Sequence, residues 1–412
     1  MKDPSMLKRV LTSLLARIVV AIVLGALCGL FFPEPLARVF VTFNDLFSGF
    51  LGFLIPVLIL ALVAPAIADL GRGAGKWLLI TAAVAYASTI CAGLLAFGTS
   101  MALFPAMLAD ETHGGGLSDP SEESLSSFFS IEMPPPFDIM TALLLAFCIG
   151  VGVTLVRGTT LKSGLEELRD IVMLIVTRIV IPLLPVYVFG SFLSLTMNGQ
   201  IGVVITTFFK VVITALVLTI VVLIAQYAIA GAIAGKNPFR LLKNMLPAYF
   251  TALGTSSSAA TIPVTLQAAR TNGVSKEVAD FTVPLCATIH LAGSTVKIVL
   301  FSTAVMMLTG IEIDPLQYFG FILMLGVTMV AAPGVPGGAI MAAVGILQSM
   351  LGFDETAISI MIATYVAIDS IGTATNVTGD GAIAVAIDRF YKRSESTDGD
   401  RLDAGSPEPS AA

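Results

Sequence analysis

The stretch Ala332-Pro333-Gly334-Val335-Pro336-Gly337-Gly338 interrupts an apolar region that runs from 324 to 350. Two prolines and three glycines in seven residues break any helix. Apolar sequence continues on either side, so the break sits inside a hydrophobic region. The plain reading is a loop at a membrane surface. The sharper one is a gate, with exposed carbonyls that suit a sodium ion and glycines that let it move. A second stretch, 246–266, has the same mixed character. Its centre reads Thr255-Ser256-Ser257-Ser258-Ala259-Ala260-Thr261-Ile262-Pro263.

Composition explains why these breaks matter. Of 412 residues, 56% are hydrophobic and 12% charged, with mean hydropathy +0.94. Soluble domains carry about 25% charged residues, so this chain cannot coat a water-soluble surface. Apolar runs occur near 10–32, 46–69, 77–104, 139–156, 171–196, 201–234, 281–308 and 356–388. At about 20 residues per crossing, they predict an all-α membrane protein with about eight transmembrane helices. The first run is too long for the apolar core of a signal peptide and reads as a retained span. Cys28, Cys91, Cys148 and Cys286 lie in separate apolar runs. They show neither metal-ligand nor disulfide spacing and read as small buried hydrophobes. The net charge of −6 comes with basic residues in short clusters, which excludes a nucleic-acid patch.

Those clusters set orientation. Lys2, Lys8, Arg9 and Arg17 come first, then Arg72 and Lys76, then Arg157, Lys162 and Arg169. Lys236, Arg240 and Lys243 follow, and Arg389, Lys392 and Arg393 close the series. Every second loop is basic. Cytoplasmic loops collect Lys and Arg, so both termini are expected in the cytoplasm of a bacterial inner-membrane protein. The segment 105–138 carries Asp110, Glu111, Asp119, Glu122, Glu123 and Glu132 without a Lys or Arg. It reads as an external flexible loop, and 394–412 as a disordered cytoplasmic tail. For the alternation to hold, 246–266 enters and leaves from the cytoplasm, and 324–350 from outside. Both are then re-entrant hairpins. Irregular backbone survives at membrane depth only where it packs in protein or lines an aqueous cavity. Two hairpins from opposite sides, each followed by a span, form the pattern of an inverted repeat with a site near the midplane.

Polar side chains inside the apolar runs are the candidates for that site. The serine run could hold a carboxylate through hydroxyls and free amides at a helix break. It could equally be a contact between helices built from small side chains. Asp369, Asn376 and Asp380 are spaced by seven and four residues and share one helical face. Carboxylates within an apolar helix are functional candidates by default, against a structural ion pair or a snorkelling end residue. His290 and Lys297, seven apart, read as one face of the 281–308 run. Each is a proton-linked group, a fixed internal cation or a packed residue. Lys297 needs a partner, and Asp369 and Asp380 are the carboxylates available.

The serine-rich hairpin, Gly334-Val335-Pro336-Gly337, and Asn376-Val377-Thr378-Gly379-Asp380 occur in this order. Together they resemble the glutamate transporter family, the dicarboxylate/amino acid:cation symporters. The resemblance is strongest over residues 235–390. That family is a standing example of inverted-repeat architecture, so the repeat is carried by the resemblance as well as by the pattern of segments. The resemblance implies a homotrimer in the lipid bilayer. It implies a scaffold of 1–76 and 139–200, spans one, two, four and five. It also implies a transport domain of span three (77–104) and residues 201–393, moved by an elevator-like slide. By position, Ser257 and Ser258 take the substrate α-carboxylate, Asp369 its amino group, and Asn376 contacts the carboxylate. Ser294, Gly334, Gly372 and Thr373 complete the implied substrate set. Asp380, with Asn376 beside it, is the implied sodium site. No cofactor is implied beyond sodium as a coupling ion.

Two departures modify these expectations. Acidic-substrate members place an arginine three residues after the aspartate, where this chain has Gly372; other members supply it from the first hairpin, where this chain has Thr255 and Ser256. Without a guanidinium, a second substrate carboxylate lacks its usual partner. The family motif Asn-Met-Asp-Gly-Thr reads here His290-Leu291-Ala292-Gly293-Ser294, so the side chains of one sodium site are missing. Thr81, Val84 and Ala85 stand where the third span otherwise carries polar ligands. The expectation is a symporter, not an enzyme, for a small neutral amino acid coupled to Na+ and/or H+. His290 or Lys297 would stand in for the lost ion. The alternative is a dicarboxylate or acidic amino acid symporter with Lys297 in place of the arginine. An intramembrane protease built on Ser256–Ser258 and His290 lacks an oxyanion hole or paired aspartates. A passive channel is the third class.

Overall fold

The computed structural model describes residues 14–71, 76–109, 125–156, 158–330, 332 and 336–403. Among these it is entirely helical, with no strand. The first half contributes α1 (Leu14–Cys28), α2 (Glu34–Gly71), α3 (Lys76–Met107), α4 (Ile139–Leu155), α5 (Thr160–Ile175), α6 (Ile181–Met197) and α7 (Ile201–Ala234). A short α8 (Pro238–Asn244) leads to α9 (Leu246–Thr255) and α10 (Ser258–Thr271). Then come α11 (Lys276–Ile289), α12 (Ala292–Thr309), α13 (Pro315–Val330), α14 (Gly338–Leu351), α15 (Glu355–Ala367) and α16 (Asp369–Asp403).

By length and composition, five described helices can each cross a bilayer. A bent pair, Glu355–Ala367 with Asp369–Lys392, makes a sixth. The apolar helices Ala16–Cys28 and Leu144–Leu155 are shorter. Burial separates inner from outer elements. The most apolar stretch within Lys276–Thr309 is 94% buried, against 39% for Ile201–Ala234. On α7 an outward stripe of Phe209, Ile213, Val217, Ile220 and Ile224 is exposed. Contiguous apolar exposure on this scale has no place in water. It is the surface a multi-pass membrane protein turns toward acyl chains. The same reason corrects the reading of the cysteines: Cys286 is buried, but Cys91 and Cys148 are exposed on outward faces. An apolar run here need not point into protein.

Further departures from the sequence reading concern element ends. The expected fifth span, 171–196, is part of a longer rod, Thr160–Met197, in which a π-helical turn at Val176–Val180 joins α5 to α6. The hairpins are also longer than the apolar pattern suggests: α9 and α10 cover 246–271, and α13 and α14 flank 331–337. Most of the 105–138 segment's centre lies outside the described residues. Its later part docks on α2, where Arg38 Nε donates to the Ser126 carbonyl (2.9 Å) and the Phe128 amide donates to Thr42 Oγ1 (2.9 Å). Helix α16 runs to Asp403, into the tail expected to be disordered; 404–412 lie outside the described residues. Once a helix is nucleated by its packed part, adding residues is easy, so polar sequence can extend it.

Apolar side chains gather into two cores. One joins α1, α2 and α4–α6 to α12–α15. The other joins α8–α11 to α16 through Met245, Val278, Val283, Val377 and Ile383. Helices α12 and α16 lie between these bodies. Helix α16 packs against α7, α9, α10, α11 and α12, and α12 packs against α3, α7, α15 and α16. Lys297 on α12 and Asp369, Asn376 and Asp380 on α16 are therefore held deep in protein.

Candidate substrate and ion site

Four helix breaks meet around these two central helices. The first lies between α9 and α10. Ser256 adopts a left-handed conformation (φ 49°), strained for a residue with a side chain. Ser257 then caps α10, its side chain accepting from the Ala260 amide, and Thr261 Oγ1 donates to the Ser257 carbonyl (2.8 Å). Ser258, the first residue of α10, is 7% exposed. The hydrogen bonds described for this tip join it to its own hairpin, while both of its helices pack on α16.

The second break separates α11 from α12. The sequence predicts an uninterrupted helix with His290 and Lys297 on one face; instead His290 and Leu291 leave helical geometry (ψ 95° and 44°). Asn376 explains why the break is stable. Its Oδ1 accepts from the amides of Gly293 (2.8 Å) and Ser294 (3.2 Å), capping the exposed N-terminus of α12 from α16. Its Nδ2 donates to Ser294 Oγ (3.0 Å), which also accepts from the Tyr365 hydroxyl (2.9 Å). Both ends of the Asn376 amide are thus engaged by protein.

The third break, at Ile368, bends α15 from α16 by 63° and presents Asp369 as the first residue of α16. Of the two carboxylates available to Lys297, the structure pairs it with this one. Lys297 is fully buried, with Nζ 3.4 Å from Asp369 Oδ1. Nζ also donates to the carbonyls of Ile368 (3.2 Å) and Asp369 (3.3 Å), and lies 3.8 Å from the centre of the Tyr365 ring. The other oxygen, Asp369 Oδ2, accepts from the Gly337 amide at 2.7 Å. Gly337 belongs to the fourth break, between α13 and α14, and its φ of +75° suits glycine alone. Gly334, part of the same tip, lies outside the described residues. Thr373 Oγ1 donates back to the Asp369 carbonyl (3.1 Å).

Gly372 makes the lysine possible. A Cβ at this position would lie 2.6 Å from Lys297 Nζ and even closer to its Cε. The missing side chain at 372 and the lysine at 297 are two halves of one packing solution. Gly379 plays the same part for His290, whose Cε1 would lie 2.7 Å from a Cβ there.

His290 forms a second polar group about three turns further along α16. Its Nδ1 is 2.9 Å from Asp380 Oδ1 and its Nε2 is 3.1 Å from Ser88 Oγ. Gln226 Nε2 donates to Ser88 Oγ (3.0 Å). Among the described residues, Asp380 Oδ2, Gln226 Oε1 and Thr378 Oγ1 are buried and have no hydrogen-bond partner. A buried acceptor without a partner is costly, so these oxygens retain capacity for a cation or a proton. On α3, Thr81 is spent on the Trp77 carbonyl (2.8 Å), and Ser88 is the residue that reaches the network. Sequence reading passed over Ser88, Gln226 and Tyr365. Their only signal is being polar within apolar runs, which many span residues share. An apolar cavity of about 370 Å³ between α3, α7 and α16 has Ser88 and Gln226 among its lining residues.

Thus Asp369, Lys297, Asn376, Ser294 and Gly337 are joined through the α11–α12, α13–α14 and α15–α16 breaks, and His290 pairs with Asp380 at the α11–α12 break. Such groups can exchange an ammonium, a carboxylate or a small cation. Ser88, His290 and Asp380 are hydrogen-bonded in series, as a nucleophile, base and acid would be, but His290 and Asp380 are sealed in protein at 1% exposure each.

Comparison with known proteins agrees with this arrangement. Residues 14–390 match the model of the sodium:dicarboxylate symporter family. Serine/threonine transporters SstT from three strains of Streptococcus thermophilus are 27% identical to this chain over 396 residues, covering 93% of it and 98% of their own length.

Proposed function

The chain belongs to the sodium:dicarboxylate symporter family, and from that premise we propose that it carries a small neutral amino acid, serine, threonine or alanine in size, across the bacterial inner membrane. The observation that carries this reading is the pairing of Lys297 with Asp369 beside Gly372. The one cation of this site already balances its one carboxylate. A substrate with a second carboxylate would bring a charge with no partner, which burial penalises heavily. A zwitterion brings none. The serine/threonine transporters with which the chain aligns support the same substrate class.

In this reading Asp369 receives the substrate ammonium, and Ser257 and Ser258 its carboxylate. Asn376, Ser294, Thr373, Gly334 and Gly372 shape the space between. The hairpins α9–α10 and α13–α14 are re-entrant, entering from the cytoplasm and from outside. Spans in 1–76 and 139–200 form a scaffold in a homotrimer, and 77–104 with 201–393 form the moving unit. Both termini are cytoplasmic. Coupling uses Na+ and/or H+. His290 fills part of one sodium site and bonds Asp380, while the spare oxygens of Asp380 and Gln226 leave room for a cation beside it.

A second reading keeps Lys297 for the side chain of an acidic substrate. Its ammonium lies where a side chain at 372 would begin, which favours that use. Uptake by purified protein in liposomes separates the two. Serine, threonine or alanine should be taken up at least ten-fold better than aspartate or succinate. The reverse order would establish the second reading.

A further inference from the structure

The ammonium of Lys297 rests in a cradle built of groups from two helices, α15 and α16, and the break between them. They are one oxygen of Asp369, the carbonyls of Ile368 and Asp369 at the α15–α16 break, and the face of Tyr365. Each favours a cation: the carboxylate by charge, the carbonyls because they close the negative end of α15, the ring by its quadrupole. These are also the groups a substrate ammonium would use on Asp369. The tether is a flexible four-carbon stem running past Gly372, able to swing without moving backbone. The other carboxylate oxygen holds the Gly337 amide, so the hairpin tip and the cation share one acidic group.

We propose that Lys297 is a tethered counter-ion that fills the cation position of Asp369 while no substrate is bound, is displaced by the substrate ammonium, and lets the empty transport unit reorient without a soluble cation. This rests on the reading that Asp369 receives that ammonium. The charge balance is simple. Asp369 and Lys297 sum to zero, and a zwitterionic substrate adds nothing, so the site has the same net charge loaded and empty. Without Lys297 the empty unit would carry a bare buried carboxylate through its motion. It would then need a cation from solution, or would move only when loaded. Because Lys297 leaves Asp369 whenever substrate arrives, the Gly337 contact registers which cation is present.

The test uses the full chain in liposomes with radiolabelled serine, at equal pH on both sides. In the unaltered protein, net uptake into serine-free vesicles should be the same within two-fold whether the sodium-free lumen holds N-methyl-D-glucamine or K+. Lys297→Met is read as the ratio of net uptake to serine–serine exchange, so that a uniform loss of activity cancels. That ratio should fall at least ten-fold with N-methyl-D-glucamine inside and recover with K+ inside. Unaltered protein that needs a luminal alkali cation overturns the proposal, and that measurement decides alone if Lys297→Met does not fold. Lys297→Met that loses exchange and net uptake in equal proportion also overturns it. Failure of the underlying reading looks different: Asp369→Asn would then bind serine with unchanged affinity.

Discussion

Asn376→Ala is the perturbation whose size the structure defines best. The amide accepts two backbone N–H groups, from Gly293 and Ser294, and donates to Ser294 Oγ. Alanine leaves both N–H groups buried at the start of α12 with no acceptor. Each unsatisfied buried donor costs about 1–3 kcal/mol, giving about 2–6 kcal/mol together. The adjacent Thr375→Ser is the control. The Thr375 hydroxyl bonds the Ile371 carbonyl within its own helix, so serine keeps the bond and loses one methyl, about 1 kcal/mol. With an unfolding entropy of about 2 cal/mol/K per residue over the chain, each kcal/mol shifts the midpoint by about 1 °C. Thermal unfolding of purified protein in detergent should therefore show Asn376→Ala lower by about 2–7 °C and Thr375→Ser by about 1 °C. Ligand-free protein must be used, so that loss of substrate binding does not enter. If the two variants unfold together, Asn376 does not hold the break at His290 and the geometry of the site is wrong.

Gly372→Ala should push Lys297 off its seat, costing about 1–3 kcal/mol of stability, read as a lower unfolding midpoint of the ligand-free protein in detergent. Asp369→Asn should abolish serine binding and, by leaving a buried ammonium unpaired, lower stability by about 3–5 kcal/mol. His290→Asn should shift uptake toward sodium dependence, measured with a sodium gradient imposed alone in liposomes. Single cysteines placed at Lys243 and Glu312 should react with a membrane-impermeant maleimide from opposite sides of the membrane; labelling from the same side would overturn the proposed topology.

Much of this architecture is legible in the sequence because lipid imposes simple demands. Apolar runs mark helices, and the Pro/Gly tip at 333–338 marks a break that no apolar environment tolerates without reason. Polar residues on α16 at 369, 376 and 380 stand out for the same cause. What the sequence hides is set by partners far along the chain. The break at His290 follows from Asn376, 86 residues away in sequence, and residues 281–308 alone read as a plain span. The choice of Asp369 over Asp380 for Lys297 depends on where the helices bend. Gly372 looks like a mere loss of an arginine until the lysine is seen packed over it. Ser88 and Gln226 carry no local pattern, and exposure of Cys91 and Cys148 cannot be told from burial when the solvent is itself apolar.

The proposed seat of the amino acid is the buried Lys297–Asp369 pair at a helix break. A structure determined with saturating serine tests it directly. The account predicts serine between the tips of α9–α10 and α13–α14, its nitrogen within about 3 Å of Asp369 and Lys297 swung away. Serine bound elsewhere, with the Lys297–Asp369 pair intact, would contradict it.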